Sequence, residues 1–204
     1  MPLIGLRSYS LSDVTEMISD RFSSHEPVVI PTDTIYGLAS PYDDELAVEK
    51  IYEIKGRPSG KPLAVCISGI GWISKFAHPS EGALDIIRRT APGPFTYILP
   101  AASGLPGNLL KDGKVALRIP DNDFILALSD RLGPMALTSA NISGEEGADG
   151  ADKVMHDLHD HDLLIVEDDK ALSGHASEVV DLTGGGPKVF RGGKIKIDEM
   201  MREV

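Results

Sequence analysis

Pro27-Val28-Val29-Ile30-Pro31-Thr32-Asp33-Thr34-Ile35-Tyr36-Gly37-Leu38 sets a run of β-branched residues directly before a polar turn. Pro27-Val28-Val29-Ile30-Pro31 reads as a short buried strand. In α/β proteins ligands sit at strand ends. Thr32, Thr34 and Tyr36 stand at every second position, so their hydroxyls share one face, and Gly37 frees the backbone to turn away. The same residues also read as an ordinary turn held by Thr and Asp side chains.

On either side, helical and strand patterns alternate. Residues 11–22 place Val14, Met17, Ile18 and Phe22 on one helical face, with Ser12 as the expected N-cap. Residues 43–55 carry Leu46, Ala47, Val48, Ile51 and Ile54 at helical spacing, and Gly56 and Pro58 stop that helix. Further strands are expected at 63–67, 95–99, 114–119, 135–137, 163–166, 179–182 and 188–191, with helices near 80–90 and 123–132. The pattern predicts an α/β protein, a mixed sheet with helices on it. With no repeat and no compositional break, residues 1–204 read as a single domain. Residues 144–162 are acidic, Gly-rich and His-bearing, and predict a mobile loop with one short helix, able to act as a lid beside a site.

The chain has 20 Lys and Arg against 31 Asp and Glu, for a net charge of -11, and 42% of its 204 residues are hydrophobic. That supports a real core and argues against a broad nucleic-acid surface, while leaving room for a local basic cavity. The lone Cys66 cannot form an internal disulfide, and neither a signal-peptide pattern nor a long apolar run is present. A cytoplasmic protein without a membrane segment is expected.

Two segments carry the chemistry. Lys55-Gly56-Arg57-Pro58-Ser59-Gly60-Lys61-Pro62 puts three cations on a Gly and Pro backbone at a helix end. Lys55 and Arg57 leave the same face of an extended segment, as a polyphosphate would require, although cations there also complement the helix dipole. The spacing is one residue short of a P-loop and Pro62 replaces its Ser or Thr, so that motif is excluded. Thr138-Ser139-Ala140-Asn141-Ile142-Ser143-Gly144 supplies polar groups two apart in a Gly-closed turn. Arg118 ends an apolar strand and needs a carboxylate, a phosphate or a fixed internal partner. Arg191 ends another. Without a secretion signal, the Asn141-Ile142-Ser143 glycosylation pattern is set aside as chance. His156, His159 and His161 lie in a solvated acidic stretch and are not read as metal ligands. Cys66, between Val65 and Ile67, reads as a small buried hydrophobe.

Together these blocks closely resemble the YrdC-like family, along nearly the whole chain. The resemblance rests on 31–38, on Lys55-Gly56-Arg57 with Lys61-Pro62-Leu63, on 91–96, on Arg118-Ile119-Pro120, on 139–144, and on 177–181 with Arg191 beyond. It implies a twisted mixed sheet with flanking helices around a concave cavity. It also implies threonylcarbamoyl-AMP synthesis from L-threonine, bicarbonate or CO2, and ATP, in a single-domain form that feeds a threonylcarbamoyl transferase complex for t6A modification of tRNA.

By that resemblance Lys55, Arg57 and Lys61 meet the ATP phosphates, with Lys55 and Arg57 catalytic, and Ser139, Asn141 and Arg191 complete the nucleotide site. Thr32, Thr34 and Tyr36 hold threonine, with Arg118 on its carboxylate and Ser177 nearby. Magnesium would arrive with ATP, since no carboxylate cage is visible. Three positions depart from the family pattern: Cys66 and Asn122 stand where histidine is frequent, and Glu178 follows Ser177 and adds negative charge beside the expected site. A YciO-like protein of the same fold with another acceptor, and a module that binds double-stranded RNA or tRNA, are the alternative readings.

Overall fold

The computed structural model describes residues 1–58, 60–168, 172–193 and 196–200, so Ser59 of the basic loop lies outside the described residues. In chain order the elements are β1 (Leu3–Gly5), α1 (Leu11–Ser23), β2 (Val28–Ile30), β3 (Gly37–Pro41), α2 (Glu45–Lys55), β4 (Ala64–Cys66), α3 (Ile73–Phe76), α4 (Glu81–Thr90) and β5 (Phe95–Pro100). They continue with β6 (Leu110–Lys111), β7 (Lys114–Arg118), α5 (Asp123–Leu132), β8 (Met135–Ser139), α6 (Ala151–Asp157), β9 (Leu164–Glu167), β10 (Glu178–Asp181), β11 (Lys188–Arg191) and α7 (Ile197–Met200).

All these strands join one mixed sheet in the order β1-β9-β2-β3-β8-β4-β7-β5-β10-β11, with β6 beside β7. Side-chain alternation sorts the strand residues onto two faces. Val29, Leu38, Val65, Tyr97, Leu99, Val115, Leu117, Ala136, Ile165 and Val180 enter one core, which also takes Val48 and Ile51 of α2, Ala83 and Ile87 of α4 and Val154 of α6. Val28, Ile30, Ala39, Cys66, Met135, Leu137, Leu164 and Val166 point the other way, against Val14 and Ile18 of α1 and Ile125 and Leu128 of α5. Those two helices cover only the part of the second face built from β9, β2, β3, β8 and β4. The residues of β7, β5 and β10 on that face enter neither core.

Local chemistry accounts for several helix ends. Ser10, not Ser12, caps α1: its hydroxyl accepts from the Asp13 N–H at 3.2 Å, and the Asp13 carboxylate accepts from the Ser10 N–H at 3.2 Å. Only position 10 has a carboxylate three residues on to close this capping box. Asp44 caps α2, and Gly56 ends it in the left-handed region at φ 54°. Asn122 caps α5 through an Oδ1 that accepts from the Ile125 N–H at 3.1 Å.

Gly37 does not lead the chain away from the sheet. It begins β3, antiparallel to both β2 and β8. The expected turn is thus a tight connection between neighbouring strands, a reading that 31–38 alone did not reveal. β1, α3 and β6 also carried no distinct sequence signal.

Candidate functional site

A cavity of about 730 Å³ occupies the half of the sheet face that α1 and α5 leave bare. Ala64 of β4, Ile98 of β5, Ala116 of β7, Leu137 of β8 and Val179 of β10 form an apolar floor. Alternation also sends Thr96, Arg118, Ser139 and Asp181 to this side. Around the floor stand Arg57, Lys61, Lys111, Lys114, Arg118 and Arg191, against two carboxylates, Asp112 and Asp181. A chain of net charge -11 has thus gathered a cationic cavity, the field an anionic ligand requires.

Arg118 is buried, and its Nη2 donates to Asp33 Oδ1 at 2.6 Å and to Thr34 Oγ1 at 2.7 Å. The fixed internal partner and the cavity position therefore coexist. Asp33 Oδ2 and Arg118 Nε are buried without a hydrogen-bond partner. Thr32 Oγ1 accepts from the Thr34 and Ile35 N–H groups and donates to the Ile35 carbonyl at 2.7 Å, so it organises the turn as well as lining the cavity. Thr34 sits behind the wall, its hydroxyl turned to Thr32 and Arg118.

Lys55 departs most from expectation. Its side chain is 1% exposed and runs inward rather than hanging from the helix end. Nζ donates to the Ser139 carbonyl, to the Asn141 carbonyl at 2.6 Å and to Asn141 Oδ1 at 3.4 Å. In return the Lys55 carbonyl accepts from the Ser143 N–H at 2.8 Å. The Asn141 amide donates to the carbonyls of Ile142 and Glu145, each at 2.8 Å. Lys55 and Asn141 thus brace the loop after β8 from behind, while Ser139 reaches the cavity. A helix-end pattern could not show this, because the acceptors lie more than eighty residues away. Burial, and then the nearby Arg57, pulls the Lys55 pKa down to about 7.

Arg57 does reach the cavity, and its Nε and Nη2 donate to the carbonyls of Lys61 and Pro62 at 3.0 and 3.1 Å. On the far wall Arg191 donates through Nε and Nη2 to the Ser177 carbonyl at 3.2 and 2.9 Å, and Ser177 Oγ meets Thr96 Oγ1 at 2.8 Å. Burial and the fields of Arg118 and Arg57 lower the Arg191 pKa, the signature of cations crowded around one space.

The cavity therefore brings together Thr32, Tyr36, Arg57, Lys61, Arg118, Ser139, Ser177 and Arg191, with Thr34, Lys55 and Asn141 behind its wall. Sequence reasoning missed Asp33, Thr96, Lys114 and Asp181. Thr96 could have been found from alternation in β5 and Asp33 from the turn around it, but the pair of Lys114 Nζ and Asp181 Oδ2, 2.8 Å apart, depends on strand order.

Two further expectations change, and the reading of Cys66 as a small buried hydrophobe holds. Glu178 adds no charge to the cavity: its carboxylate lies on the other face, where it accepts from the Gly193 and Ile197 N–H groups at 3.3 and 2.9 Å. Residues 144–162 do not hang beside the cavity, since Ala148, Ala151, Val154 and Leu158 are buried in the core and the Ala148 carbonyl accepts from the Tyr36 N–H at 2.8 Å. Cys66 is fully buried, and burial pushes its thiol up to about 12, which leaves it no thiolate to offer at neutral pH.

A bare sheet face that gathers cations over an apolar floor gives this α/β protein a site suited to an anionic ligand, and comparison with known proteins identifies the family. The Sua5/YciO/YrdC family model, described as "Telomere recombination", matches residues 21–193. The chain belongs to that family. A Methanocaldococcus jannaschii relative is 32% identical over 93% of this chain and 90% of its own length. The Bacillus subtilis threonylcarbamoyl-AMP synthase is 36% identical over 86% of this chain, which spans only about half, 52%, of that relative. Among solved structures, Pyrococcus abyssi Sua5 complexed with L-threonine superposes with a TM-score of 0.88 at 30% identity, covering 98% of this chain and 59% of that one. E. coli YciO gives 0.86 at 25% identity, covering 98% of each chain.

Proposed function

We propose that the protein is a threonylcarbamoyl-AMP synthase. The observation that carries this reading is the six cations around one cavity of an acidic chain, and the naming of the family relatives supports it. In the proposed reaction the threonine amine attacks CO2 and loses a proton to form a carbamate. A carbamate oxygen then attacks the ATP α-phosphorus, and the bond to the bridging oxygen breaks with release of pyrophosphate. The work asked of the protein is to hold two anions together and neutralise the growing charge.

Arg57, Lys61 and Arg191 suit the phosphates, with Ser139 beside them and Lys55 and Asn141 setting the position of Ser139. Arg118, with Thr34, Thr32, Tyr36 and Ser177, suits the amino acid, and Asp33 fixes the angle of the guanidinium. Among the described residues no group of three His, Cys, Asp or Glu side chains is placed to hold a metal, so magnesium belongs in this reading to the ATP it accompanies. A cytoplasmic site, delivery to a threonylcarbamoyl transferase and contact with tRNA are parts of the proposal. Among the described residues no helix is long and apolar enough to cross a membrane.

A second reading, a YciO-like protein with another acceptor, is favoured by the full mutual coverage with E. coli YciO. Labelled bicarbonate separates the two. Threonine-dependent incorporation of label into an adenylate supports the synthase, and ATP binding without incorporation supports the second reading.

A further inference from the structure

Phe190 is 61% exposed, the most exposed of the large apolar side chains among the described residues, yet it lines the cavity. The pairing of β10 with β11 explains its direction. Val179 faces Arg191 and Val180 faces Val189, so two consecutive residues of β10 oppose three of β11, and Phe190 is the extra one. Such a β-bulge breaks the alternation and re-aims a side chain. Here it lets two successive residues, Phe190 and Arg191, both look into the cavity, which regular alternation forbids.

The bulge holds an aromatic face in water beside a guanidinium that suits a phosphate, with Lys188 Nζ 5.6 Å from the ring centroid. An exposed phenyl ring gains by covering its face with another flat π-system, and a nucleotide presents such a ring on the same ligand as its phosphates. We propose that Phe190 is the platform on which the base of the bound nucleotide stacks while Arg191 holds its phosphates. The inference rests on the nucleotide reading above and adds to it the residue that distinguishes a nucleotide from a bare polyphosphate.

Calorimetric titration with ATP and with inorganic triphosphate, which carries the charge but no base, tests this. Phe190→Ala should weaken ATP about tenfold and leave triphosphate binding unchanged. Phe190→Trp should retain ATP binding and give an indole emission that ATP quenches and triphosphate does not. Equal ATP affinity for Phe190→Ala and the unmodified chain, or a parallel loss of both ligands, would overturn the stacking role while leaving the nucleotide reading intact. Failure of the unmodified chain to bind ATP would overturn both.

Discussion

The Lys55 ammonium and the Asn141 backbone meet at 2.6 Å, deep enough that the lysine is 1% exposed, so the end of α2 holds the loop that follows β8. Lys55→Met keeps the apolar stem and removes the donor. It should leave the Ser139 and Asn141 carbonyls short of a partner and cost about 2 to 4 kcal/mol, read from denaturant midpoints.

The same residue predicts a pH dependence. Its folded pKa of about 7 lies below the 10.5 of an ordinary lysine, so between those limits the unfolded chain binds more protons. The contribution of Lys55 to stability should be fully present above the upper limit and lost as the pH falls through 7. Unfolding free energies at pH 6.5, 7.5 and 8.5 should rise more steeply with pH in the unmodified chain than in Lys55→Met.

Arg57→Ala should behave in the opposite way to Lys55→Met. Arg57 lines the cavity, and its hydrogen bonds run to two carbonyls of its own loop and to the nearby Tyr52 side chain, so the melting temperature should move little. Pyrophosphate release should fall by at least about a hundredfold, the cost of losing one donor to developing charge.

The buried pair of Arg118 and Asp33 should show strong coupling. Arg118→Ala alone strands a buried carboxylate and should cost about 3 to 5 kcal/mol. Removing Asp33 as well should recover part of that loss without recovering activity, as a double-mutant cycle on stability and rate would show.

Gly37→Val tests the floor. Even a Cβ at this position would lie 2.6 Å from Leu137 Cδ1 and 3.4 Å from Thr32 Cγ2, so Leu137, which lines the cavity, must shift. The variant should lose about 1 to 3 kcal/mol of stability. Titration should show ligand affinity falling with it.

Much of this was legible in the sequence. Residues 123–132 and 188–191 give their helix and strand correctly, and for the helix Asn122 as cap, the apolar periodicity and Gly133 as breaker agree. The α/β class followed from alternating elements, and the site blocks could be recognised because each is a Gly- or Pro-bounded cluster of polar groups. What stayed hidden depends on contacts distant in sequence. Glu178 looked like a cavity charge until its carboxylate proved to serve Gly193 and Ile197 on the opposite face. Lys55 looked like a surface cation because nothing near it in sequence announces the carbonyls of Ser139 and Asn141. Residues 144–162 carry the composition of a loop, and only the packing of Ala148, Val154 and Leu158 shows that they belong to the core.

In the proposed reaction the cationic cavity joins a carbamate of threonine to the α-phosphate of ATP. The most direct test is pyrophosphate release from ATP with magnesium and bicarbonate, with and without L-threonine, and with serine and alanine as controls. Release that depends on threonine and on bicarbonate, and that disappears in Arg57→Ala, is the predicted result. No threonine-dependent release from a chain that binds ATP would contradict the claim.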